Sequence, residues 1–308
     1  MSRKRTVRNT RQMAMRRREL LFYLMLLPGT LFTLVFSYFP LFGLVMAFQN
    51  FVPLRGFQKS EWVGLQNFRN MLALPNFWNV IGNTLFISIC KIILGLLVPL
   101  LVALQVNEVI HRRWKQAAKI IYFLPYFLSW AVVSGMLRSL FQYDGMVNDL
   151  LVRLGMEPIL FLGSNVWFLV IVILSDVWKD MGYYLLLFLA AIADVDPCLF
   201  EAAAMDGANR FKRIWHVTLP SIRPIVIMLF VLSLGSVLNA GMEQIMLLYN
   251  PMVYQRGDII DTFVYRLGLV NHQWSLSSAV GMMKSVLSFF LVLISNQIVK
   301  KKFAYQLF

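Results

Sequence analysis

Residues 81–105 read Ile81-Gly-Asn-Thr-Leu-Phe-Ile-Ser-Ile-Cys-Lys-Ile-Ile-Leu-Gly-Leu-Leu-Val-Pro-Leu-Leu-Val-Ala-Leu-Gln105, and Lys91 is the only charge among them. About 20 consecutive apolar residues cross a bilayer core as a helix. A barrel strand would instead alternate apolar and polar positions over roughly 10 residues. Hydrocarbon offers no partner for backbone N–H and C=O groups, so a continuously apolar run of this length is a helix. Working outward, similar runs predict spans over 20–47, 118–141, 166–192, 217–239 and 278–299. The expected fold class is therefore all-α, a polytopic membrane protein with about six transmembrane helices. Composition agrees: 59% of the 308 residues are apolar and 14% charged, against roughly 45–50% and 25% in soluble domains. A small hydrophobic soluble protein is excluded by this patterning.

Residues 1–18 are Arg-rich and precede the apolar run Leu20 to Phe48. A secretory signal has an apolar core of only about 7–15 residues and a small-residue cleavage site, so this run is expected to be a retained first span. The connectors decide the orientation, because cytoplasmic loops collect Lys and Arg. The tail 1–19, the connectors 106–119 and 193–224 and the tail 300–308 hold nineteen of them; connectors 48–80, 142–165 and 240–277 hold six. Both termini are thus expected in the cytoplasm, and the net charge of +14 reads as a topology signal plus attraction to anionic lipid, not as a nucleic-acid surface. Pro28-Gly29, Pro40, Pro99 and Pro125 are candidate kinks. Aromatic residues of the outer connectors (Trp62, Phe68, Phe77, Trp78, Trp274) suit the membrane interface, and 64–74 reads as a short surface helix.

No connector is long enough for a soluble domain, and no phosphate-binding glycine loop is present. Two cysteines and three histidines lie scattered, without metal-ligand spacing. Cys90 lies in a span and Cys198 in a polar connector, which argues against a disulfide. No nucleophile-and-base arrangement marks an enzyme.

The connector after the fourth span, 194–216, is longer than a link requires. Asp196-Pro197 suits a helix start, with Asp capping and Pro in the first position. Glu201-Ala-Ala-Ala-Met205 favours helix, and Gly207 suits a left-handed helix end. A second short helix, Arg210 to His216, then leads through Leu219-Pro220 into the fifth span.

Glu201-Ala202-Ala203, then Gly207, then Val217-Thr218-Leu219-Pro220 resembles the EAA loop of binding-protein-dependent ABC importer permeases, with Val217 where the pattern has Ile. Asp206-Gly207-Ala208 is similar to the family's turn. The likeness extends over nearly the whole chain through Leu26-Leu27-Pro28-Gly29, Ala47-Phe48-Gln49-Asn50-Phe51, Trp62-Val63-Gly64-Leu65-Gln66-Asn67-Phe68 and Asn83-Thr84-Leu85. These stretches look like carbohydrate permeases of the LplB type, which serve oligosaccharides. The resemblance implies a type I importer fold in a bacterial cytoplasmic membrane. It also implies a second permease subunit (a heterodimer), two ATPase subunits that bind ATP and Mg, and an extracytoplasmic solute-binding protein. This chain itself would carry no cofactor and no catalytic group. Glu201, Ala202, Ala203, Asp206, Gly207, Leu219 and Pro220 would couple it to the ATPase.

The substrate path is read from charges inside spans, which cost about 2.5–3.5 kcal/mol at the centre and so face cavities or partners. Asp176, Lys179 and Asp180 can share a helix face, with Trp178, Tyr183 and Tyr184 beside them. Such a strip suits a sugar, whose apolar face stacks on rings while carboxylates and amides take its hydroxyls. It equally suits a buried salt bridge that fixes packing, and both readings stay open. Asn239, Glu243 and Gln244 are further candidates. Lys91, Arg138 and Lys284 could balance an acidic sugar, or pair internally. The alternatives are an importer permease for another solute and an ion-coupled secondary transporter, the latter usually betrayed by internal repeats that are not evident here.

Overall fold

The computed structural model describes residues 22–303. The first helix, α1 (Phe22–Phe48), passes Pro28-Gly29 unbroken. It loosens into a π-turn at Leu34–Tyr38 and tightens to a 3-10 helix over Phe39–Phe48, on either side of the start of Pro40's turn. Most of α1 is exposed; only its final turns pack, against the last helix. A two-residue antiparallel ribbon follows, β1 (Gln49–Asn50) with β2 (Glu61–Trp62), enclosing α2 (Gly56–Lys59). The sequence reading did not foresee it. Asn67 of α3 (Gln66–Leu72) holds it by donating to the carbonyls of Ala47 and Gln49 at 2.9 and 3.0 Å.

The long helix α4 (Phe77–Asn107) carries Pro99 without a break. Where a third span is expected over 118–141, the helix is broken: α5 (Arg112–Phe123) and its 3-10 extension to Phe127 meet α6 (Trp130–Phe141) and α7 (Met146–Arg153) at a 99° bend. Pro125 and the extended Leu128 and Ser129 make the break, and Ser129 caps α6 through Val132 N. Next comes α8 (Asn165–Ala193), packed along α4. Gly182 lets α5 approach: a Cβ there would sit 2.7 Å from Phe123 Cα.

After α9 (Pro197–Met205), α10 (Arg210–Arg213) runs through a π-turn, Ile214–Thr218, into α11 (Leu219–Leu234). The separate second helix and the span 217–239 are therefore corrected to one continuous helix, Arg210–Leu234. Pro220 lacks the N–H that would bond His216's carbonyl, and the wide turn just before it absorbs that defect. The chain then turns at Gly235–Ala240. Short helices α12 (Met242–Leu248), α13 (Tyr254–Gly257) and α14 (Ile260–Tyr265) precede α15 (Trp274–Phe303). The tail 1–19 and most of 300–308 lie outside the described residues.

Among the described residues four helices are each long and apolar enough to cross a membrane (α1, α4, Arg210–Leu234 and the first part of α15), and the bent pair, taken as one span, makes five. α8 is long enough, at 29 residues, but Asp176, Lys179 and Asp180 interrupt its apolar run. Three apolar cores join the helices. One sits between α4, α8 and α11, around Leu96, Phe188 and Ile222. A second gathers Phe77, Leu238 and Phe263, and a third Ile87, Phe168 and Ile245.

Candidate functional site

Two regions hold the predicted residues. At one end of the bundle, Asp196 takes the Cys198 N–H at 2.9 Å and starts α9. The helix ends in a paired closure: Ala208 N–H donates to Ala203 O at 2.9 Å, Gly207 N–H to Ala204 O at 3.0 Å. Gly207 has φ +73°, the left-handed value this closure demands. Asn209 then caps α10 by accepting from Lys212 N. No residue of α9 is buried. Met205 is 89% exposed and Phe211 71%, with Phe211 stacked on exposed Trp215. Glu201, Ala202, Asp206 and Pro220 are exposed too, while Ala203 and Leu219 are half-buried. An apolar helix presented this way is shaped for a partner. Arg210 pairs loosely with Glu108 at 3.9 Å, a contact worth little at the surface.

The second region is a cavity of about 230 Å³ between α4, α6, α8 and the end of α11. Asp176, Asp180, Tyr184 and Asn239, four of the predicted path residues, line it together. Ser88, Lys91, Trp130, Ser233 and Ser236 also line it, beside apolar residues and Gly95 and Gly241. The sequence reading missed the serines and Trp130, which carry no signal of their own. It also left Lys91 without its partner, although the single cation of a 31-residue span asks for one.

The predicted grouping of Asp176 with Lys179 is corrected. Asp176 pairs across to Lys91 of α4 at 2.7 Å, and Lys179 is paired with Asp180 at 3.4 Å and lies over the rings of Tyr126 and Trp130. Lys91 is 7% exposed and also donates to Ala240 O at 2.8 Å and Gln244 Oε1 at 2.5 Å. Gln244 is fully buried and passes the connection on, its Nε2 donating to Val172 O and Ser175 Oγ. It holds the fold together and does not face the cavity. Gly241, at φ +90°, brings this turn close; a Cβ there would meet Lys91 Nζ at 2.8 Å. Trp178, Tyr183 and Glu243 are exposed outside the cavity, with Tyr183 stacked on Tyr126 at 5.8 Å. Of the other intramembrane cations, Lys284 is paired with Asp261 and Asn239, and Arg138 donates to Leu247 O.

Comparison with known proteins supplies the context. The profile described as "Binding-protein-dependent transport system inner membrane component" matches residues 95–304. Protein LplB of Bacillus subtilis is 40% identical over 94% of this chain and 91% of its own. The polygalacturonan/rhamnogalacturonan transport system permease protein YteP of the same organism is 39% identical over 91% and 87%. A crystal structure of a bacterial ABC transporter involved in the import of the acidic polysaccharide alginate superposes with a TM-score of 0.86. It has 35% identity and covers 95% of this chain and 99% of that one.

Proposed function

The chain belongs to the family of binding-protein-dependent transport system inner membrane components, and on that premise we propose that it is one of two permease subunits of an ATP-driven oligosaccharide importer. Its relatives include a polygalacturonan/rhamnogalacturonan permease and, among solved structures, an alginate transporter in complex with its pentasaccharide-bound periplasmic protein. The other subunits would be a second permease, two ATPases holding ATP and Mg, and an extracytoplasmic binding protein. The chain would cross a bacterial cytoplasmic membrane six times, by α1, α4, the α5–α6 pair, α8, Arg210–Leu234 and α15, with both termini inside.

The observation that carries the coupling mechanism is that exposed α9 is joined by one short glycine closure to the continuous helix Arg210–Leu234. In this reading α9 sits in a groove of the ATPase. Glu201 faces a basic residue there, Ala202 and Ala203 allow close approach, and Asp206 and Gly207 set the turn. When ATP draws the ATPases together, α9 moves with them. The helix carrying Leu219 and Pro220 follows, so the membrane bundle changes between two states biased by nucleotide.

Substrate would pass the cavity lined by Asp176, Asp180, Tyr184 and Asn239. At about 230 Å³ it is below the ~300 Å³ of a drug-sized ligand site, so it suits one sugar ring of a longer chain.

The test is cysteine crosslinking from position 205 in the assembled transporter. Linkage to the ATPase, strengthened or weakened by ATP, is expected. Linkage to the extracytoplasmic binding protein instead would overturn the topology and the mechanism together.

A further inference from the structure

Resting on the permease reading, which puts this end of the bundle in the cytoplasm, we infer that two basic segments meeting at the end of α4 form a docking surface for the headgroups of anionic phospholipid. One segment is the start of α5, with Arg112, Arg113 and Lys119. The other is the start of the continuous helix Arg210–Leu234, with Arg210, Lys212 and Arg213. Contacts to two consecutive residues bring them together. Lys115 Nζ donates to the backbone and side-chain oxygens of Asn107 at 3.0 and 3.1 Å, and Arg210 Nε lies 3.9 Å from Glu108 Oε2. Among the described residues that long contact is the one ion pair made by any of these six cations. Glu201 and Asp206 of the neighbouring coupling loop make none with them. The charge of the surface is therefore left for a partner of opposite sign.

The depth of the cations says which partner fits. Ile120, Ile121 and Leu124 are 66, 67 and 62% exposed, and exposed apolar side chains in succession on a spanning helix face hydrocarbon. Arg113 lies seven residues before Ile120, ~10 Å along α5, which places it in the headgroup layer. Trp114 is exposed beside it, and the stacked rings of Phe211 and Trp215 are exposed beside Lys212 and Arg213. Rings interleaved with cations belong to a segment lying in the membrane interface. A phospholipid phosphate answers the cations while its acyl chains cover the rings; a soluble anion does only the first. Clusters of Lys and Arg directly cytoplasmic of a span attract anionic lipid, about fivefold in affinity for each cation. The surface joins α5 to the first turn of the helix that follows the coupling loop, so a bound headgroup ties that helix to the membrane surface.

The experiment uses the complete purified transporter in detergent, titrated with short-chain phosphatidylglycerol or phosphatidylcholine, with bound lipid counted by native mass spectrometry. The native transporter is expected to prefer phosphatidylglycerol. Arg112→Gln with Arg113→Gln should weaken phosphatidylglycerol at least fivefold and leave phosphatidylcholine unchanged. Arg112→Lys with Arg113→Lys, which keeps the charge, should keep the preference. Lys212→Gln with Arg213→Gln removes charge from the second segment and serves if the first pair fails to assemble. Equal binding of the two lipids by the native transporter, or a preference that survives both charge-removing pairs, overturns the inference. So does competition by inorganic phosphate at equal concentration, which would make this a site for a soluble anion, and so does loss of the ATPase subunits from both glutamine pairs, which would assign the surface to the ATPase. Absence of ATPase subunits from the purified native chain would sink the importer reading instead, and the same titration of the chain as purified still decides the lipid inference.

Discussion

Lys91 on α4 and Asp176 on α8 meet at 2.7 Å, and the same ammonium reaches the carbonyl of Ala240 beyond the end of α11. One charged group thus fastens two long helices and a returning turn. Removing one partner of a buried pair strands the other and costs about 3–5 kcal/mol; replacing both by apolar groups is far milder. Lys91→Met should therefore lower the thermal unfolding midpoint of the purified complex markedly, and Lys91→Met with Asp176→Leu should recover much of the loss. Equal midpoints for the single variant and the native chain would show that the pair carries no stability.

Gly207 has open space where a side chain would grow, so the cost of substitution comes from its φ of +73° alone. A β-branched residue forced into that region loses about 1–2 kcal/mol. Gly207→Val should insert normally but transport poorly, with ATP hydrolysis no longer responding to loaded binding protein. Gly207→Asn, which tolerates the left-handed region, should transport better than the valine variant. Uptake assays with both variants check this ordering.

Asp196 caps α9 by accepting the Cys198 N–H. An N-cap is worth about 1 kcal/mol, and α9 has no buried face to hold it otherwise. Asp196→Ala should speed amide hydrogen exchange across 197–205 and lower coupled transport. Asp196→Ser should restore protection. Unaltered exchange in the alanine variant would mean that the cap does not hold this helix.

At Gly182 a methyl group would lie 2.7 Å from the Phe123 Cα, where backbone has to move. Overpacking of this kind costs about 1–3 kcal/mol. Gly182→Val should shift α5 off α8 and reduce the yield of folded protein in detergent, while Gly281→Ala, which meets nothing, should not. Monodispersity on size-exclusion chromatography distinguishes them.

Local signals were legible in the sequence, and long-range ones were not. The continuous apolar runs announced α1, α4 and α15, and the Asp196 cap and Gly207 closure followed from short-range backbone rules. The bend after Pro125 was visible only as a candidate kink, because a proline does not reveal whether neighbours tolerate it: Pro99 lies in an unbroken helix. The early end of α11 at Leu234 was hidden, since apolar Val237 and Leu238 continue the hydropathy pattern while serving another core. Helical spacing suggested Asp176 with Lys179, but the actual partner lies on another helix, and no periodicity reports a contact between helices. Ser88, Ser233 and Ser236 are silent in a sequence because only the assembled cavity gathers them.

The unbroken helix Arg210–Leu234 has a mechanical consequence. Twenty-five residues at ~1.5 Å each make a rod roughly 37 Å long. A tilt of ~15° about one tip, the size of known subunit rotations, sweeps the opposite tip through about 10 Å. The construction therefore gears a small angular input at the basic tip up into a displacement wider than a sugar ring at the far tip, without any bond along the rod having to break.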